Sequence, residues 1–256
     1  MASKLELVRK RGSMRERLIV ALDVDTLDQA RDFVQRLAGE VGLFKVGKQL
    51  FTHAGPQAVQ LIQQLGGEIF LDLKFHDIPN TVAKAAIEAT RLGVKMFNVH
   101  ASGSLEMMRT TVKEVERVCR AQKLRRPIML GVTVLTSLNQ EDLQRVGVVH
   151  KVADQVVRLA LLTKEAGMDG VVASPHEVAD IRAACGPSFV IVTPGIRPAE
   201  SNRGDQQRVM TPSEAVRAGV DYIVVGRPIL EAGDPIRAAR AIVADMEQGG
   251  KSFSVN

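Results

Sequence analysis

The sequence predicts an α/β protein of the (β/α)8 TIM-barrel class in a single domain, and three observations predict it. Short apolar runs alternate with amphipathic helical spacing eight times along the chain. Eight such units in about 240 residues is the size of this barrel. Polar and charged residues stand at the carboxyl ends of those runs, at Asp23, Lys45, Asp72, Lys74, Thr136, Arg197 and Arg227, where a barrel gathers them at one mouth. A doubly wound open sheet is the alternative for the same alternation. No glycine fingerprint follows the first run, which closes on Asp23-Val24-Asp25, so a dinucleotide-binding version has little support.

The elements follow in order. Residues 18–22 read as the first strand and 27–37 as the first helix, since their apolar positions recur at helical spacing. Residues 43–46 form the second strand and 56–65 a helix beginning at Pro56, a favoured first helical residue. Strand three covers 68–73 and Pro79 stops it, with a helix from 81 to 92. Strand four is 96–100, followed by a long helix over 103–122 that ends before Pro127. Strand five is 128–134, with a short helix at 139–144 and another at 152–166. Strand six (170–173) leads to a helix at 175–184, and strand seven (189–193) runs into Pro194-Gly195-Ile196-Arg197-Pro198. A helix at 211–218, strand eight at 222–225 and a closing helix at 234–246 complete the pattern.

Composition narrows the class further. The 256 residues are 45% hydrophobic, enough for one large core. No run of about 18 apolar residues occurs and no charged-then-apolar leader is seen, which argues against a membrane partner and for a cytoplasmic protein. Cys119 and Cys185 stand in neither metal-ligand nor redox spacing, so reduced packing residues are expected and no metal site is. The net charge of +5 could suggest nucleic acid, but residues 1–13 carry Lys4, Arg9, Lys10 and Arg11 against Glu6, which is +3 of it. That leader is a natural arm or an expression scar, and residues 14–256 form the barrel domain. Aromatic residues are only 4% and no basic helix with stacking aromatics appears, so no nucleic-acid partner is expected.

The chemistry concentrates at Phe70 to Thr81. Asp72 and Lys74 lie at i and i+2, so both project from one face of a strand. Charge there costs stability unless it is paired. Arg227 follows Gly226 after strand eight, in the usual phosphate corner of this barrel, and a guanidinium fork suits phosphate oxygens. The segment 198–208 is long for a loop and contains Gly204, which reads as a lid or a surface excursion. His76 and His100 read as structural hydrogen-bond partners, and His53, His150 and His176 as surface. Met107 and Met108 read as core.

Ala21-Leu22-Asp23, Phe44-Lys45-Val46-Gly47, Asp72-Leu73-Lys74-Phe75-His76-Asp77-Ile78-Pro79-Asn80-Thr81, Thr193-Pro194-Gly195-Ile196-Arg197-Pro198 and Val225-Gly226-Arg227 together resemble the bacterial orotidine 5'-phosphate decarboxylases. The resemblance spans residues 18–247 in the expected order. It implies a (β/α)8 homodimer that converts orotidine 5'-phosphate to UMP and CO2 without metal or organic cofactor. It further implies Lys74 as the acid that protonates C6, Asp72 beside the departing carboxylate, and Asp77 entering the neighbouring subunit's site. Lys45 and Asp23 would complete the charged array and hold ribose hydroxyls. Thr136 would contact the pyrimidine, Gln206, Gly226 and Arg227 the phosphate, with Arg197 in the same set and Thr81 reaching across the dimer boundary.

Two rival enzymes share parts of this pattern. A magnesium-dependent enzyme of keto-sugar phosphates shares Asp-x-Lys-x-x-Asp but needs a carboxylate where strand two offers Lys45. A Schiff-base aldolase would use Lys74 as a nucleophile, yet flanking aspartates favour its charged form.

Overall fold

In a computed structural model, residues 12–198 and 210–251 are described. Eight parallel strands close into a barrel in chain order: β1 (Leu18–Ala21), β2 (Leu43–Gly47), β3 (Ile69–Phe75), β4 (Met96–His100), β5 (Ile128–Val132), β6 (Gly170–Val172), β7 (Val190–Thr193) and β8 (Tyr222–Val225). Closure comes from β1 pairing with β8 through Leu18↔Ile223, Ile19↔Val224 and Val20↔Val225. The open doubly wound sheet is thereby excluded.

Helices fill the crossovers. They are α1 (Leu27–Leu37), α2 (Lys48–Ala54), α3 (Pro56–Gln64), α4 (Pro79–Arg91), α5 (Leu105–Gln122), α6 (Gln140–Arg145), α7 (Val152–Glu165), α8 (Val178–Cys185), α9 (Pro212–Ala218), α10 (Arg227–Leu230) and α11 (Pro235–Lys251). Strand alternation divides the core in two. Ile19, Leu43, Phe70, Met96, Leu130, Val192 and Val224 fill the barrel interior. The opposite phase, with Leu18, Val20, Phe44, Leu71 and Phe97, packs against the helices, where Met107 and Met108 are fully buried.

The amino-terminal end of the barrel is held by ion pairs at strand starts, one half-exposed and one largely buried. Asp169 accepts Met129 N at 2.7 Å and pairs with Arg126, whose Nη1 lies 2.8 Å from both carboxylate oxygens. Asp221 repeats the device, accepting Ile191 N at 2.7 Å and pairing with Arg182. Each follows a left-handed glycine, Gly167 (φ 83) and Gly219 (φ 99), which lets a helix turn straight into a strand. Arg17 donates to Val220 O at 2.6 Å and Asp221 O at 2.8 Å, tying the chain before β1 to the start of β8.

Three expectations change. Pro79 does not stop β3: the strand ends at Phe75 and Pro79 is the first residue of α4. Two helices were not anticipated, α2 and α10. The first has seven residues, one of them buried, and no side-chain cap; the second is a single turn of four. Neither is long enough to show a period.

Candidate functional site at the barrel mouth

A cavity of about 570 Å³ opens at the carboxyl ends of the strands, within the range of small-molecule sites. Its floor is apolar, from Phe70, Val132, Val172 and Val224, and its walls carry Asp23, Lys45, Asp72, Lys74, Thr136, Arg197, Gly226, Arg227 and Glu231. Every strand-end residue anticipated to converge does so.

Strand phase sets the charged group. Lys45 sits one inward step above Leu43 on β2, and Asp72 one above Phe70 on β3. Lys45 Nζ lies 3.0 Å from Asp23 Oδ1 and 3.5 Å from Asp72 Oδ2, while Lys74 Nζ donates to Asp72 Oδ1 at 2.6 Å. Asp72 thus bridges two ammonium groups, and the order Asp23, Lys45, Asp72, Lys74 alternates in sign. The side chains of Lys45 and Asp72 are each 12% exposed and that of Lys74 22%, whereas Asp23 at the rim is 60% exposed. Alternation is what makes so much charge tolerable in a partly buried place.

The backbone departs from a regular strand here. Leu71 pairs with Phe97 and Phe75 with Val99, so four steps of β3 match two of β4. Inside this bulge Lys74 has φ 52, a left-handed conformation that costs a lysine about 1–2 kcal/mol. Its N–H donates at 2.8 Å to Asn98 Oδ1 on β4, and Asn98 Nδ2 donates at 2.7 Å to Asp72 Oδ1. Asn98 is fully buried and was not singled out from the sequence. Its signal was there: a polar residue amid Met96-Phe97-Asn98-Val99-His100, in phase with inward-facing Met96. Glu231, just past α10, is a second residue that sequence reasoning missed.

Asp77 and Thr81 are exposed and do not line the cavity; Asp77 Oδ1 instead accepts Ile78 N at 2.6 Å. Gln206, the anticipated lid at 198–208 beyond Pro198, and residues 1–11 of the leader lie outside the described residues. The expectation that His76 and His100 are hydrogen-bond partners is corrected: no side-chain hydrogen bond of either occurs among the described residues, and their rings lie against each other with centroids 5.3 Å apart. Burial pushes the His100 imidazole down to about 4, with His76, Lys48 and Lys74 adding to it and Asp72 opposing. A neutral ring beside Lys74 adds no further positive charge to the group. His53 and His176 are exposed and His150 half-buried, while Cys119 and Cys185 are free and buried.

Among the described residues no cluster of three or more His, Cys, Asp or Glu is arranged to hold a metal ion. Nor, among the described residues, is any helix long and apolar enough to cross a membrane.

Fold and site define a (β/α)8 barrel protein with an alternating lysine and aspartate array and an arginine corner at its carboxyl mouth. The chain belongs to the orotidine 5'-phosphate decarboxylase / HUMPS family, whose model matches residues 16–242. It is 58% identical over 232 residues to an orotidine 5'-phosphate decarboxylase of Syntrophotalea carbinolica, covering 91% of this chain and 95% of the relative. It is 54% identical over 243 residues to the same-named protein of Moorella thermoacetica, covering 94% and 96%. Among solved structures, orotidine 5'-phosphate decarboxylase from Lactobacillus acidophilus superposes with a TM-score of 0.79 at 38% identity, covering 90% of this chain and 98% of that one. The Pyrococcus horikoshii OT3 enzyme of that name gives 0.70 at 26%, covering 90% and 99%.

Proposed function

We propose that this chain decarboxylates orotidine 5'-phosphate to UMP and CO2 without metal or organic cofactor, as a homodimer in the cytoplasm. The observation that carries the reading is Asp72 held between Lys45 and Lys74 over an apolar floor, a preformed ammonium pair where negative charge would develop. As the C6 carboxylate leaves as CO2, the bonding electron pair stays on C6. The Lys74 ammonium then gives its proton to C6, and solvent returns one to Lys74. Lysine can serve as the acid only as ammonium, and the Asp72 carboxylate 2.6 Å away pairs with that charge. Charge placed before the reaction stabilises the carbanion without reorganisation.

The other roles are those that the family resemblance implies. Asp23 at the rim and Lys45 beside it take ribose hydroxyls, Thr136 after β5 takes the pyrimidine, and Gly226, Arg227, Arg197 and Gln206 take the phosphate end. Phosphate is remote from C6, so its binding energy serves orientation. Asp77 and Thr81, which do not line their own cavity, serve the partner's. The magnesium-dependent enzymes that share the motif need a carboxylate where strand two of this chain has Lys45. The barrel domain is taken as residues 14–256, with residues 1–13 as a leader or an expression scar.

The test is to follow the orotate chromophore of orotidine 5'-phosphate with the purified protein in EDTA. Loss of the chromophore is expected. No change, or a change seen only when magnesium is restored, removes the reading.

A further inference from the structure

We propose that Asn98 is a positioning residue for the decarboxylation, fixing with one amide both the carboxylate of Asp72 and the backbone turn that aims Lys74. This rests on the decarboxylase reading. Asn98 does not line the cavity, so it acts through its neighbours and not on substrate.

Three observations carry it. Asp72 Oδ1 receives Asn98 Nδ2 at 2.7 Å as well as Lys74 Nζ at 2.6 Å, while Oδ2 faces Lys45 Nζ at 3.5 Å. The lysines are on flexible stems, and the amide is the one rigid, fully buried donor to that carboxylate among the described residues. Next, Asn98 Oδ1 accepts the Lys74 N–H at 2.8 Å. That N–H lies where the bulge breaks the β3 and β4 register, so the side chain replaces a lost ladder bond. Finally, Lys74 has φ 52, a strained state that persists only where the surroundings over-determine it.

Asparagine suits the position because it must donate to a carboxylate and accept from an N–H at once. Alanine would leave a buried carboxylate and a buried N–H each short of a partner. Aspartate keeps the acceptor for Lys74 N but sets a second carboxylate against Asp72, and two such groups share one proton as the pH falls. Because neither contact touches the Gly226 and Arg227 corner, loss of Asn98 should lower kcat and leave KM nearly unchanged.

The experiment measures kcat and KM for orotidine 5'-phosphate with the parent, Asn98→Ala and Asn98→Asp between about pH 5 and pH 8, beside thermal melts. Asn98→Ala should lose about 100-fold in kcat, the scale of a misplaced catalytic group, with KM within about threefold. Asn98→Asp, relative to the parent, should recover kcat as the pH falls. A merely structural role would lower melting temperatures but leave kcat per folded molecule and the pH profile parallel to the parent; either a parallel profile for Asn98→Asp or near-normal kcat for Asn98→Ala overturns the proposal. If Asn98→Ala fails to fold, the near-isosteric Asn98→Asp profile decides alone. An inert parent would instead defeat the decarboxylase reading, so the two failures are distinct.

Discussion

At Gly47 a side chain would meet the charged array before it met anything else. A β-carbon there would stand 3.1 Å from Lys45 Nζ and 3.5 Å from Asp23 Oδ1, and the backbone itself is ordinary extended chain. Gly47→Ala should therefore push the ammonium by a few tenths of an ångström without straining the fold. The expected outcome is a loss in kcat/KM of about tenfold with a melting temperature unchanged or slightly raised; unchanged kcat/KM would show that Lys45 has room to shift. His100 gives a pH prediction. Its ring titrates near 6.5 in the unfolded chain and at about 4 when folded, so between those values the unfolded chain binds the extra proton. The stability contribution is present above 6.5 and is lost as the pH falls toward 4. Urea midpoints of His100→Gln should fall less than the parent's from neutral pH to the lower end of that window, and equal losses would contradict it. Residue types at strand ends made most of this site legible in the sequence. Asn98 was not, because its partners are a carboxylate 26 positions away and a backbone N–H exposed by a bulge, and a bulge has no signature in alternation.

The elements were legible where their period was long enough. The helix from Leu27 to Leu37 and the strands Met96–His100 and Tyr222–Val225 have the ends that spacing predicts. Thr26 and Gln29 close a capping box at that helix start, a local signal that needs no tertiary context. The short α2 and α10 depend instead on what they pack against: Gln49 of α2 donates to Asp25 Oδ1 at 2.5 Å, a tie from that helix to the loop after β1. Close packing between strands is also invisible in sequence. Gly170 opens β6 between Leu130 and Val190, and a β-carbon there would lie 2.0 Å from Val190 O. Backbone cannot yield as a flexible side chain does, so Gly170→Ala should destabilise the barrel by about 1–3 kcal/mol or more. A denaturation curve reads this directly, and an unshifted midpoint would mean that β6 and β7 can separate without cost.

At the scale of the whole molecule, the proposed function needs a second copy of the chain to complete the site. Asp72 and Lys74 face their own cavity, but Asp77, three residues on, is exposed beside Ile78, itself 67% exposed. A large aliphatic side chain next to a carboxylate that does not line its own chain's cavity fits a surface that a second copy covers. In a two-fold dimer each mouth then takes Lys74 from one protomer and Asp77 from the other. Lys74→Ala and Asp77→Ala should each be inactive as homodimers while Lys74→Ala still binds UMP. When the two variants exchange subunits, half of the dimers are mixed, and each mixed dimer has one mouth with both residues and one with neither. About a quarter of the parent's sites should therefore regain function. Recovery near that fraction supports the shared site. No recovery, with exchange verified by differently tagged subunits, would mean that each barrel works alone and that Asp77 has no part across the interface.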